Sequence, residues 1–292
     1  TKNTAPGLML MAIVGGIGAA IGLAILLDKV DGKLRYAQQI GDELGLPIAG
    51  TIPRLPKGGV DHKRPEQAFQ LVESFRSLRM TVMSASGGES VSVAISSPSP
   101  AEGKSLISAN LAMSFAEAGL RTVLVDGDTR RGALHKVFGV RDAPGLTDYL
   151  AGSVALGDVL RPTAQDTLQL IPCGTRKRRS PELLISARLP ALVAELRTTH
   201  DVVIFDTPPL AAGIDAYSIG VATGSLLLVV RVGRTARRMA VEKLRMFDRL
   251  PVELIGAVLN GITYQGEYAY YSYVPGYEAV DEPERKDLVK VT

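Results

Sequence analysis

Three short segments carry residues that could act together on a phosphate. The first is Gly103-Lys104-Ser105. An apolar, β-branched run from Val91 to Ile95 and a Ser/Pro loop precede it, and Leu106 to Ala118 follow with helical periodicity. Strand, loop, Gly-Lys-Ser and helix in that order is the setting of a phosphate-binding loop. Backbone N–H groups of the loop and first helical turn have no intrahelical partner, so they point at an anion. Pro100, Ala101, Glu102, Gly103 and Leu106 would then cradle nucleotide phosphates. Lys104 would reach the β- and γ-phosphates, and the Ser105 hydroxyl would ligate Mg²⁺. The loop departs from G-x-x-x-x-G-K-S, because Pro98 stands where the first glycine belongs.

The second segment, Thr122-Val-Leu-Val-Asp126-Gly-Asp128-Thr-Arg-Arg131, is an apolar strand ending in two carboxylates two residues apart. The third, Asp201-Val-Val-Ile-Phe-Asp206-Thr-Pro-Pro209, delivers Asp206 to the C-terminal end of a fully apolar strand. In α/β sheets, ligands sit at the carboxyl ends of strands. A carboxylate there holds Mg²⁺, directly or through water, or orients an attacking group. Asn260 follows the apolar run Leu254 to Leu259, where a side-chain amide can read adenine.

Positioning these segments requires a sheet. The runs already named, with Thr167 to Ile171 and Leu226 to Val232, alternate with helical segments such as Ala236 to Arg249. Apolar strands alternating with helices imply a P-loop α/β fold, a mostly parallel sheet covered by helices on both faces. Upstream, Gln67 to Met83 reads as a helix, and Glu73, Arg76 and Arg79 at i, i+3, i+6 share one side of it. Leu34 to Leu44 reads as a short amphipathic helix, residues 45–53 as a short apolar stretch, and Arg54 to Pro65 as an exposed linker. Gly139 to Leu156 reads as loops and short helices. After the basic loop Arg176 to Arg179, a helix starts at Ser180-Pro181-Glu182.

The composition excludes several classes. With 292 residues there is room for one large α/β domain plus something smaller. A net charge of +3 forces no nucleic-acid footprint, and no nucleic-acid partner is expected. Cys173 is the only cysteine, so there is no internal disulfide and no cysteine metal cluster. His62, His135 and His200 are scattered and build no metal or triad constellation.

Leu8 to Leu27 is uncharged and mostly apolar. As a helix it would be about 30 Å long, the thickness of a hydrocarbon core, so a transmembrane span is expected. Only Lys2 precedes it, whereas Lys29, Lys33 and Arg35 follow, which puts the C-terminal side in the cytoplasm and the residues before Leu8 outside. The chain begins at Thr1 without an initiator Met and reads as a fragment or processed product. At the other end, Tyr264, Tyr268, Tyr270, Tyr271, Tyr273 and Tyr277 are six of the nine tyrosines, set among Gly, Ser, Gln, Glu and Pro. Residues 278–292 are charged and read as disordered. The expected organisation is a transmembrane helix with external flank (1–30), a juxtamembrane segment and linker (31–64), a P-loop domain (65–263) and a tyrosine-rich tail (264–292).

Together these pieces resemble the bacterial tyrosine kinase family, the Wzc-like autokinases of polysaccharide synthesis and export. Lys104 and Ser105 match its Walker A. Val123-Leu-Val-Asp126-Gly-Asp128-Thr-Arg130 matches its Walker A′, and Val202-Val-Ile-Phe-Asp206-Thr-Pro-Pro matches its Walker B. Glu73, Arg76 and Arg79 match the E-x-x-R-x-x-R motif through which members form rings, and the tail matches the family's tyrosine cluster. The resemblance places Arg130 among the nucleotide-binding residues. It implies a homo-oligomeric ring (an octamer in the family), an inner-membrane location, a link to polymerase and export machinery, a partner tyrosine phosphatase, and an external chain-length domain upstream of Thr1.

One departure bears on geometry. Ala101 replaces a family glycine, and alanine at a position needing φ > 0 would strain the loop. The implied reaction is phosphoryl transfer from ATP to tail tyrosines of a neighbouring subunit. Lys104, Asp126, Asp128 and Asp206 are its catalytic residues, with Ser105, Asp128 and Asp206 on Mg²⁺. A phenol with pKa about 10 needs a base, for which Asp126 is the first choice and Asp128 the exchange. The rivals are a nucleotide-binding chain-length scaffold without kinase chemistry and a membrane-anchored MinD/ParA-like ATPase. Ser99, standing where that ATPase has a second lysine, disfavours the latter.

Overall fold

The computed structural model describes residues 5–30, 32–54, 65–88, 90–176 and 180–263. The six tail tyrosines and most of the Arg54 to Pro65 linker lie outside the described residues. The chain divides into two units, Thr1–Lys33 and Leu34–Thr292.

The first unit is one helix, α1 (Ala5–Val30), longer at both ends than the apolar run predicts. Its side chains are described at Met9 and over residues 11–23, all of them exposed. Among the described residues no helix is long and apolar enough to cross a membrane.

The second unit opens with α2 (Gln38–Leu44), β1 (Ile48–Pro53), α3 (Pro65–Ala85), β2 (Val91–Ser96), α4 (Lys104–Glu117) and β3 (Thr122–Asp126). It continues with α5 (Leu134–Val137), α6 (Leu146–Leu150), β4 (Arg161–Pro162), β5 (Leu168–Ile171), α7 (Ser180–Leu183) and α8 (Arg188–Thr199). It closes with β6 (Val202–Asp206), α9 (Asp215–Thr223), β7 (Ser225–Arg231), α10 (Arg237–Leu244) and β8 (Glu253–Ile262). The strands form one sheet in the order β1-β8-β7-β2-β6-β3-β5-β4, parallel throughout except for the two-residue β4.

The period-2 alternation of each strand feeds two cores. Val91, Val93 and Ile95 of β2 and Val202 and Ile204 of β6 pack with Leu78 of α3 and Leu111 and Phe115 of α4 on one face. Val203 and Phe205 of β6 and Leu226, Leu228 and Val230 of β7 pack with Leu192 of α8 and Ile219 of α9 on the other. Each such side chain contributes about 1.5–3 kcal/mol by leaving water. Burial on both faces fixes the register, since a one-residue slip would exchange the two sets. In that register Asp206 stands opposite both Ile95 and Asp126, so the carboxyl ends of β2, β6 and β3 finish level.

Some elements differ from expectation. Residues 31–64, expected as juxtamembrane segment and linker, put β1 into the sheet beside β8 and bury Leu34 and Ile40 in a core. The sheet body therefore starts at Leu34 rather than residue 65. Leu34 itself is not helical. Its N–H donates to the Thr235 carbonyl at 2.9 Å, and its carbonyl accepts from Gly233 N–H at 2.8 Å. The helix predicted from Ser180 breaks into α7 and α8, because Pro190 has no N–H to continue the ladder and is tolerated only in a first turn. The helix predicted to Arg249 stops at Leu244. Phe247 turns inward onto Tyr217, with ring centroids 4.8 Å apart.

Candidate active site

The loop between β2 and α4 holds the residues expected to bind phosphate. Gly103, at φ 95°, is the N-cap of α4, and no side chain caps the helix, which leaves its first N–H groups open to an anion. A Cβ at Gly103 would collide with the Asn260 amide. Ala101 sits at φ 62°, the one non-glycine at positive φ among the described residues. The strain expected of that alanine is present, and it persists only where neighbours hold it.

Those neighbours are Glu102 and its partners. The Glu102 side chain is buried, with Oε2 accepting from Ser99 N–H at 3.1 Å and Oε1 accepting from Thr235 Oγ1 at 2.8 Å. Burial pushes its carboxyl up to about 7, against the hydrogen bonds from Ser99 and Thr235. Its carbonyl accepts from Asn260 Nδ2 at 2.8 Å. Glu102 thus points into the protein, away from any phosphate in the loop. Asn260 is buried with its amide donating to the loop, so the structure gives it a bracing contact where an adenine contact was expected.

Lys104 lies at the centre of the site. Its Nζ is 3.0 Å from Asp128 Oδ2, 3.7 Å from Asp206 Oδ2 and 3.2 Å from Ser105 Oγ. Burial works to lower its pKa, but the charges of Asp206 and Asp128 outweigh it and hold the ammonium above its usual range. Asp206 is raised by burial, with Lys104 opposing, and Ser108 Oγ donates to its Oδ1 at 3.1 Å.

Asp126 lies deeper. Its side chain is fully buried, with Oδ1 accepting from Asp128 N–H at 3.3 Å and Oδ2 from Leu134 N–H at 3.1 Å. Burial, then the charge of Asp206, pushes it up to about 8. Gly132 lets the chain wrap this carboxylate, since a Cβ there would stand 2.5 Å from Asp126 Oδ1. Of the Asp126/Asp128 pair, Asp128 is the member that touches Lys104.

Arg130 is half exposed beside Asp128, and its Nε meets the buried Asp215 Oδ2 at 3.1 Å. Pro100, Ser105 and Leu106 complete the loop and the first turn of α4. The three α3 residues do not form one exposed set. Glu73 pairs with Arg76 at 2.5 Å, whereas Arg79 is docked on α4, where its Nη1 donates to the Ser114 carbonyl and hydroxyl.

These residues suit a magnesium-bound polyphosphate. Among the described residues no group of three or more His, Cys, Asp or Glu could hold a metal ion alone. Mg²⁺ needs no such cage, because it takes one or two carboxylates plus phosphate and water. Ser105, Asp128 and Asp206 converge on Lys104, which is the donor set for that arrangement.

Sequence reasoning missed Ser108, Asp215 and Thr235. Ser108 was accessible to it, lying four residues after Lys104 on the same helix face. Asp215 and Thr235 are polar residues in ordinary loop contexts, and nothing local marks them.

No family model matches the chain. It is 33% identical over 268 residues to the tyrosine-protein kinase ptk of Acinetobacter johnsonii, which takes in 87% of this chain and 36% of that protein. The chain thus spans a little over a third of the length of that relative. It is 32% identical to the tyrosine-protein kinase YwqD of Bacillus subtilis, over 68% of this chain and 85% of that protein. Among solved structures, the kinase domain of the Escherichia coli tyrosine kinase ETK matches at a TM-score of 0.72 and 27% identity, over 83% of this chain and 99% of that one.

Proposed function

The chain belongs to the bacterial tyrosine kinase family, and on that premise we propose that it is a membrane-anchored, ATP-dependent tyrosine autokinase of polysaccharide assembly. The observation that carries this reading is Lys104, fixed between Asp128 and Asp206 at the mouth of an uncapped helix.

The loop N–H groups and Lys104 hold the β- and γ-phosphates and neutralise charge as the phosphoryl group transfers. Ser105, Asp206 and Asp128 are the residues that would hold Mg²⁺, which when bound would offset phosphate charge. The acceptors are Tyr264, Tyr268, Tyr270, Tyr271, Tyr273 and Tyr277, offered by a neighbouring subunit. A carboxylate of the Asp126/Asp128 pair takes the phenol proton, and Asp128 has the reach. Arg130, with its guanidinium on Asp215, lines the rim.

Two further features support anchoring and assembly. The described side chains of α1 include exposed Met9, Met11, Ile13, Val14, Ile17, Ile21 and Leu23, an all-round apolar surface suited to lipid. On α3, the partly exposed Glu73–Arg76 pair would meet a neighbouring subunit, in a ring that the family resemblance makes octameric. Each phosphotyrosine adds roughly −1.5 to −2 charge, so a phosphorylated tail repels itself and the ring loosens. A phosphatase would restore it.

Incubation of the purified chain with Mg-ATP is expected to give phosphotyrosine, lost in Lys104→Met and in a chain ending at Thr263. Signal that survives Lys104→Met would refute the reading. Arg76→Ala is the cleaner probe of assembly, because Arg79→Ala also strips a contact within the chain.

A further inference from the structure

The phosphate loop is held by residues from the neighbouring strand β7 and the next strand, β8. Ala101 is strained, at φ 62°. The loop is gripped at three points by Glu102. One carboxylate oxygen takes Ser99 N–H, three residues back along the loop. The other takes the hydroxyl proton of Thr235, 133 residues away in the turn after β7. The main-chain carbonyl takes the Asn260 amide from the end of β8.

Thr235 is suited to be the fixed end of this grip. It is fully buried. Its Oγ1 accepts Arg231 N–H at 2.8 Å while donating to Glu102, so the hydroxyl is used in both directions. Its own N–H donates to the Arg231 carbonyl at 2.9 Å, and its carbonyl accepts Leu34 N–H at 2.9 Å. The turn is therefore tied to β7 on one side and to the start of the sheet body on the other. A hydroxyl held so firmly can impose a position on the more strained loop.

We infer that Thr235 is a positioning residue for nucleotide binding: through the Glu102 carboxylate it holds Ser99 to Gly103 in the strained shape that presents N–H groups to the phosphates. Thr235 does not touch the nucleotide. Without its hydroxyl, Glu102 keeps one partner, Ala101 relaxes toward negative φ, and the N–H groups turn away. The inference rests on the nucleotide-binding part of the proposed function and goes beyond it, because no motif marks Thr235.

The test measures MgATP affinity by calorimetric titration of the full chain, with phosphotyrosine formation followed separately. Thr235→Val keeps the shape and removes the hydroxyl, and its dissociation constant is expected to rise about tenfold or more, the usual scale for a hydrogen bond to a charged acceptor. The KM for ATP should rise in parallel, with the KM for an acceptor peptide unchanged. Thr235→Ser retains both hydrogen bonds and should stay within about twofold of wild type. Glu102→Gln, which keeps the volume and loses the charge, should weaken binding in the same direction. Affinity is read per folded site from the stoichiometry, so a general loss of stability does not imitate the effect. Wild-type affinity in Thr235→Val would overturn the inference, whatever Glu102→Gln shows. A wild-type chain that bound no MgATP would instead overturn the nucleotide reading beneath it.

Discussion

β3 and β6 lie side by side, and their two ends handle charge in opposite ways. At the carboxyl ends Asp126 and Asp206 stand opposite each other, both buried, with Asp128 close by and Lys104 placed against Asp128 and Asp206. At the amino ends Arg121 and Asp201 form a close ion pair in water, with side chains 62% and 37% exposed. Burial raises Asp126 and Asp206, so folding disfavours their ionised forms. Hydrogen bonds from Arg121 lower Asp201, so folding favours its ionised form. The same pair of strands thus disfavours ionised carboxylates at the candidate site and favours one at the opposite end. Active sites commonly accept such local cost, and the rest of the fold offsets it.

Removing the cation tests this most severely. In Lys104→Met the buried carboxyl groups of Asp126, Asp128 and Asp206 lose the Lys104 charge set beside them. Phosphotyrosine formation is expected to fall by about a thousandfold, at the upper end for losing one group that stabilises transferred charge. Without nucleotide, stability at pH 7–8 should fall by about 3 kcal/mol, the scale for stripping one partner from a buried ion pair. Urea unfolding measures the second quantity, and unchanged stability would mean that the carboxylates are not jointly ionised around Lys104.

Asp206→Asn separates function from stability at the same end. Activity should drop by at least about a hundredfold, while the nucleotide-free chain becomes more stable at pH 8. The gain follows from sign, since a carboxyl raised by folding is better tolerated neutral. A variant less stable than wild type would show that Asp206 is a structural partner of Lys104 first.

The two ends were not equally legible in the sequence. Strand ends, loop and carboxylates could be read because apolar runs stop abruptly at Asp126 and Asp206, and because Gly-Lys-Ser opens a helix. The strain at Ala101 was readable too, as an alanine in a place that wants positive φ. Thr235 and Asp215 were not, because they act across 133 and 85 residues of chain and no spacing rule spans such distances. Asn260, expected just after the last strand, lies inside β8, and its amide donates to the Glu102 carbonyl. Position along a strand does not say which neighbour an amide meets. β1 was missed as part of the sheet because Gly45, Pro47 and Pro53 make it resemble a linker.

Acid and base titrations sharpen the comparison with a smaller effect. Burial and the Asp206 charge push Asp126 up to about 8, from the ordinary 3.8, so the folded chain keeps a proton that the unfolded chain has lost. Stability from this group is therefore fully present below about pH 4 and is lost as pH rises towards 8. Asp201 does the reverse. Its contribution is present above 3.8 and is lost as pH falls through its lower folded value. Asp126→Asn should flatten the decline in melting temperature between pH 5 and 8, measured without Mg²⁺ or nucleotide. An unaltered slope would place the proton elsewhere.

The smallest effect is expected from Asp201→Asn. Arg121 meets this carboxylate three times, through its N–H at 2.9 Å, Nε at 3.2 Å and Nη2 at 2.7 Å. Three hydrogen bonds would suggest a strong contact, but both side chains are open to water and salt. Exposed pairs gain little over their solvated alternatives, and charges are screened within about 10 Å at 0.1 M salt. Asparagine also keeps an acceptor for the Arg121 N–H. The melting temperature should therefore shift less than in any variant above, and the shift should vanish at about 1 M salt. Phosphotyrosine formation should stay within about twofold of wild type, because the substitution lies at the opposite end of the strands from Lys104. If Asp201→Asn instead matched Asp206→Asn in lost activity, the two ends would be coupled through β6, and the contrast between them would fail.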